Sequence, residues 1–239
     1  MAMADWTELG GGLTAETIRR GITSGIARPN GGGSFIFGFH SAASTLGAVG
    51  FYTNQANFAP VDTGYGGSVR GCIQRSMGTS FSPFLFISLE NTAVTDGGYL
   101  LGLQDCSPSR IVLRKGSLSG GLPNGVPEVT PGSTGILRQS TATFASGTWV
   151  QLRLDVVANI SGDAILKVFQ SNLTDHACTS PDWEAVAGMD DFVDDALGVN
   201  TGSLPYPIAS GGYMGFAFAS NSTGKRGYFD TIECLRQLP

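Results

Sequence analysis

Histidine is almost missing from this chain. It occurs twice, at His40 and His176, and lysine only three times, at Lys115, Lys167 and Lys225. Charged residues make up 14% of the 239 positions and the net charge is −5. The basic pairs Arg19-Arg20, Arg114-Lys115 and Lys225-Arg226 lie far apart, so no patch tracks a phosphate backbone and nucleic-acid binding is excluded. The four cysteines, Cys72, Cys106, Cys178 and Cys234, have no Cys-x-x-Cys spacing, which argues against a zinc site and leaves two disulfides or four thiols open. No run of eighteen apolar residues exists to cross a membrane as a helix, and MAMADWTEL lacks a basic region followed by an apolar core. The expectation is a protein made in a cytoplasm without a secretion signal. No Gly-x-Ser-x-Gly elbow marks a nucleophile, so two isolated histidines read as packing or surface residues, and no catalytic residue is assigned.

What the chain has is glycine, 35 residues of it, and short apolar runs. That combination means many tight turns and little helix. The stretch Trp149 to Phe169, WVQLRLDVVANISGDAILKVF, organises the rest. Val150, Leu152, Leu154 and Val156 alternate with Gln151, Arg153 and Asp155. A period of two predicts a strand with one buried and one wet face. Turn residues 158–163 and a second strand from Ala164 to Gln170 complete an antiparallel hairpin.

Further strands are expected over 34–39, 48–53, 69–75, 82–89, 99–103, 110–115, 136–144, 211–219 and 227–235, each alternating or apolar and bounded by turn residues. Residues 17–26 read as strand and loop, 116–135 as a long surface loop, and 171–210 as the least regular part. No repeat or linker is visible. The reading is one all-β domain over 1–239, with an arm carrying the first strands over 1–33 and a two-sheet antiparallel jelly roll over 34–236.

Four quoted pieces come in a familiar order: Trp149-Val-Gln-Leu-Arg-Leu-Asp-Val, Leu166-Lys-Val-Phe, Gly212-Tyr-Met-Gly-Phe-Ala-Phe and Arg226-Gly-Tyr-Phe-Asp-Thr-Ile. This series resembles the concanavalin A-like lectin/glucanase sandwich, especially its laminin-G-like branch, over roughly residues 80–236. The resemblance implies a jelly roll; function does not follow from such a fold. A glucanase of that kind would carry Glu-x-Asp-x-x-Glu on one strand. The six glutamates, Glu8, Glu16, Glu90, Glu128, Glu184 and Glu233, never form it, which speaks against an enzyme.

The remaining site candidates are few. Asp190, Asp191, Asp194 and Asp195 form an acidic run that could ligate calcium, or simply be a solvated loop; no other cofactor is expected. Tyr65, Trp183, Tyr206 and Trp6 could stack on sugar rings or cover partner contacts. Scarce charge and long loops of Gly, Pro, Ser and Thr, without a secretion signal, lead to the expectation of a non-enzymatic structural protein of a bacteriophage particle. It would sit in the virion as a decoration, collar, tail or fibre component, with other virion proteins or further copies of itself in a homo-oligomer as partners. The alternatives are a carbohydrate-binding module for a host surface polysaccharide and, in third place, a polysaccharide hydrolase using Glu90 or Glu233.

Overall fold

The computed structural model describes residues 6–9, 18–23, 36–41, 47–53, 66–76, 80–89, 97–104, 107–117, 135–158, 163–171, 182–194 and 213–237. Within them every regular element is a strand, and all pairings are antiparallel. Two sheets result. The first has seven strands: β1 (Trp6–Leu9), β4 (Gly47–Thr53), β14 (Tyr213–Ser220), β6 (Phe81–Leu89), β7 (Gly97–Leu103), β8 (Ser109–Ser117) and β9 (Ile136–Phe144), adjacent in that order. The second runs β12 (Trp183–Ala185), β11 (Ala164–Ser171), β10 (Trp149–Ala158), β5 (Gly66–Arg75), β15 (Arg226–Gln237), β3 (Ile36–Ser41) and β2 (Ile18–Thr23). β13 (Phe192–Asp194) makes it eight by pairing with β11 beside β12. The architecture is the two-sheet sandwich expected from the alternation, and the expected arm supplies β1 to one sheet and β2 to the other.

The core lies between the sheets. Leu152, Leu154 and Val156 from β10, Val69 and Ile73 from β5, and Leu101 and Leu113 from the first sheet all point into it and are buried. At one end the filling is aromatic. The Phe216 ring centroid lies 5.0 Å from Phe229, 5.6 Å from Phe51, 6.2 Å from Phe39 and 5.1 Å from Trp6. Such stacked, tilted and edge-on ring pairs are worth more than their buried area alone. Arg75 of β5 is also inside; its Nε donates to the Phe81 carbonyl at 3.1 Å and its Nη1 to Ser109 Oγ at 2.6 Å, so a charge from the second sheet is held by acceptors of the first.

Two glycines are required by geometry. A Cβ on Gly215 would fall on the Phe51 carbonyl of the neighbouring strand, so β14 and β4 can approach there only without a side chain. Gly147 turns β9 into β10 at φ +82°, and its amide donates to the Arg75 carbonyl at 2.8 Å. Positive φ at this turn explains why glycine stands there.

The structure corrects one expectation. The outer face of β10 is not wet throughout: Gln151 is 4% and Asp155 4% exposed. Trp149, Cys72 and Tyr228 cluster on that same outer face and bury it at one end. The outer face of the first sheet is likewise closed, by Phe84, Phe86, Leu100 and Ala217. Alternation separates the two faces of a strand but cannot show that both are covered. Within 171–210, the stretch expected to be least regular, β12 and β13 add three residues each to the sheet. Val186 N donates to the Val168 carbonyl at 2.9 Å and Val168 N to the Met189 carbonyl at 2.7 Å, which fastens the turn between them to β11.

Candidate functional site

Strand parity puts Arg70 of β5, Arg153 of β10, Phe169 of β11 and Glu233 of β15 on the outer face of the second sheet. Register then aligns them. Glu233 faces Arg70, Arg70 faces Arg153, and Arg153 faces Phe169, forming one row across four strands. Glu233 reaches this face because β15 carries a bulge between Asp230 and Glu233. Thr231, at φ +52°, takes the extra position. Without the extra residue, Glu233 would point into the core.

The row is bonded pairwise. Arg70 donates from Nε at 2.8 Å and from Nη2 at 2.5 Å to Glu233 Oε2. Arg153 donates from Nε to Asp155 Oδ1 at 2.8 Å and from Nη2 to Asp155 Oδ2, a two-pronged contact. The Arg153 guanidinium also sits 4.9 Å from the Phe169 ring centre. Next to the row, Lys167 pairs with Asp191 at 3.2 Å, and Leu235 presents an exposed apolar side chain beside Ser68. The Arg70 and Glu233 side chains are 32% and 43% exposed. This end of the face is therefore open, ridged with fixed donors and acceptors, and electrically balanced.

At the closed end the same face continues through Gln151 and Asp230 to Trp149, Gln74 and Tyr228, all buried. The Gln74 amide donates to the Gly147 carbonyl at 2.8 Å, so the β9–β10 turn is tied to this floor. Cys72 belongs to the floor, whereas Cys234 packs against the inner core. The two sulfurs thus lie on opposite faces of the sheet. Burial, and then the neighbouring Glu233 charge, push the Cys234 thiol up to about 12.

The acidic run divides. Asp190 and Asp191 are exposed, Asp191 beside Lys167. Asp194 turns inward and is fully buried, 2.7 Å from Lys115 Nζ, with the Tyr99 hydroxyl donating to its Oδ2 at 2.5 Å. Asp195 lies outside the described residues. Asp194 is thus turned into the interior, while Asp190 and Asp191 lie exposed. Among the described residues no three His, Cys, Asp or Glu side chains gather at a metal-binding spacing.

Of the aromatic candidates, Trp6 packs edge-on against Phe216 as part of the core rim. Trp183 is half-buried on edge strand β12, opposite Ser171. Tyr65 and Tyr206 lie outside the described residues, as do Glu90 and His176. Glu233 is engaged by Arg70. Sequence reasoning missed the Arg70–Glu233 and Arg153–Asp155 row. Arg153 and Asp155 were legible as same-face neighbours; the bulge that brings Glu233 beside Arg70 has no sequence signature.

No protein-family model matches the chain, and no curated protein matches it. Solved structures do. The exoplasmic/lumenal domain of VIP36, in a form bound to Ca2+ and Man3GlcNAc, is similar at a TM-score of 0.50 and 9% identity, covering 97% of this chain and 89% of that one. The carbohydrate-binding module CBM66 from Bacillus subtilis is similar at 0.47 and 11%, covering 96% and 94%. The carbohydrate recognition domain of Emp47p follows at 0.45 and 9%, with 100% of both chains covered. The likeness to the VIP36 domain is one of fold, a two-sheet antiparallel jelly roll.

Proposed function

We propose that this domain binds a carbohydrate without transforming it, using the open end of the outer face of the second sheet. The observation that carries the reading is the row Glu233–Arg70–Arg153–Phe169 with Asp155 beside it. A guanidinium has five donors and a carboxylate about four acceptor positions, so each pair keeps spare capacity after bonding its partner. Sugar hydroxyls donate and accept at once and fit such mixed edges. The pairs are mutually neutralised, which suits an uncharged saccharide better than a polyanion. Phe169 and Leu235 offer apolar surface for the C–H faces of the ring. The VIP36 domain of like fold is described in a saccharide-bound form, which agrees with this reading.

Binding is favoured over hydrolysis because Glu233, the described glutamate offered for acid–base work, is fixed by Arg70 through two hydrogen bonds. A place in a virion remains a proposal resting on composition; a surface-polysaccharide ligand is compatible with it.

The test is a glycan array followed by calorimetry on the hits, comparing wild type with Arg70→Met and Arg153→Met. Affinity should fall at least about tenfold, equivalent to about 1.4 kcal/mol. For Arg70→Met the melting temperature should move by no more than about 4 °C, because a partly exposed ion pair is worth about 0.2–1 kcal/mol; Arg153→Met, whose partner Asp155 is buried, should cost more. A folded protein that retains no glycan on the array, or that binds one equally well in both variants, would overturn the assignment.

A further inference from the structure

Inside the sandwich, far in character from the open face, three polar side chains meet. Tyr99 and Lys115 are directly opposite each other on β7 and β8. Asp194 comes from β13, across the interior in the other sheet. Tyr99 is 0%, Lys115 0% and Asp194 1% exposed. Lys115 Nζ lies 2.7 Å from Asp194 Oδ2, an atom one covalent bond from the carboxyl carbon, and the Tyr99 hydroxyl donates to that same oxygen at 2.5 Å.

Opposite charges in such a place are costly to desolvate, and their attraction does not reliably offset it. A proton passing from Nζ to the carboxylate turns the ion pair into a neutral amine beside a neutral acid. Burial favours that form: desolvation lowers the Lys115 pKa against the opposing pull of Asp194. An amine and a carboxylic acid in contact are the two reactants of amide formation. The fold holds them together permanently, which supplies the orientation a bimolecular reaction lacks. Tyr99 is placed to stabilise the negative charge that develops on the attacked carboxyl group.

We propose that Lys115 and Asp194 condense into an intramolecular isopeptide bond that staples β8 of one sheet to β13 of the other. The Nζ lone pair attacks Asp194 Cγ, and the carbonyl π pair moves to the oxygen bonded by Tyr99. A proton leaves the nitrogen for the acid's hydroxyl oxygen. The carbonyl then re-forms, the C–OH bond breaks, and one water departs. No oxidant or co-reactant enters, and nitrogen ends as a secondary amide. The closed interior keeps bulk water from reversing the step.

Intact mass of the purified, folded full chain under denaturing conditions decides the matter. Wild type should be lighter than its sequence mass by one water, and Lys115→Met should match its own sequence mass. Protease digestion of wild type should yield a branched peptide joining the β8 and β13 segments, with no cleavage after Lys115. Tyr99→Phe should give a mixture of linked and unlinked chains. Wild type at full sequence mass, with ordinary linear peptides ending at Lys115, would overturn the proposal even if every variant failed to fold. Complete linkage in Tyr99→Phe would overturn the role given to that hydroxyl.

Discussion

Phe216→Leu is the sharpest probe of the inter-sheet core. Phe216 is fully buried, and its ring meets four others with centroids between 5.0 and 6.2 Å away. Each such pair contributes about 0.5–1.5 kcal/mol beyond burial, which sums to about 2–6 kcal/mol. Leucine recovers part of this by ordinary packing and the four pairs are not independent, so the expected loss is about 2–4 kcal/mol. For a chain of this length each kcal/mol lowers the melting temperature by about 2–4 °C, giving a drop of roughly 5–15 °C. The matched control is Phe169→Leu. That ring is half-buried on the outer face, and its described ring contact is the Arg153 guanidinium at 4.9 Å, worth about 0.5–1 kcal/mol. Calorimetric or urea unfolding of both variants, with unchanged urea dependence, provides the comparison. Equal shifts would refute the view that the aromatic cluster, rather than the sheets' hydrogen bonding, fixes how the two layers meet.

Leu154→Asp should abolish folding or cost several kcal/mol, since it buries a charge in the core; because Gln151 is itself buried, Gln151→Asp should also be destabilising, and a neutral result in urea unfolding would contradict that burial. Gly215→Ala should destabilise strongly, as its Cβ meets the Phe51 carbonyl, while Ala at Gly224, where no atom lies near the added Cβ, should show only the milder cost of its φ of +73°; thermal melts will rank them. The Cys234 thiol has a folded pKa above its ordinary value of 9.0. Its contribution to stability is therefore complete below pH 9.0 and is lost as pH rises toward about 12. Cys234→Ala should flatten that alkaline decline in pH-dependent unfolding, and the wild-type thiol should resist alkylation at mildly alkaline pH.

The sequence was informative where side-chain period and element coincide. The β10–β11 hairpin and β9 over 136–144 were visible from alternation, and the β7–β8 pair from the turn residues between its two short apolar runs, although β7 is buried on both faces. β12 and β13 were not, being three residues each and too short to show a period. Their place is set by backbone bonds to β11 that leave no trace in composition. Lys115 was legible in principle, since Ile111, Leu113 and Lys115 continue one inward face of β8. What could not be foreseen was its partner: Asp194 looked like one acidic residue of a solvated run. The Arg70–Glu233 contact was hidden for another reason. A bulge changes strand parity, so counting by twos from Tyr228 assigns Glu233 to the wrong side.

The order of strands has a consequence for biosynthesis. β14 lies between β4 and β6, and β15 between β5 and β3. β14 and β15, translated after every other described strand, are thus inserted into the middle of sheets whose other members were made before them. Until residues 213–237 emerge, β4 and β6 lack the strand that joins them, as do β3 and β5, and the Phe216–Phe229 contact that closes the two layers does not exist. A nascent chain of this design cannot settle piece by piece from its beginning. It waits with the two halves of each sheet unjoined, pays a large loop-closure entropy in one late step, and in that interval offers its unpaired inner strands to whatever holds unfolded chains in solution.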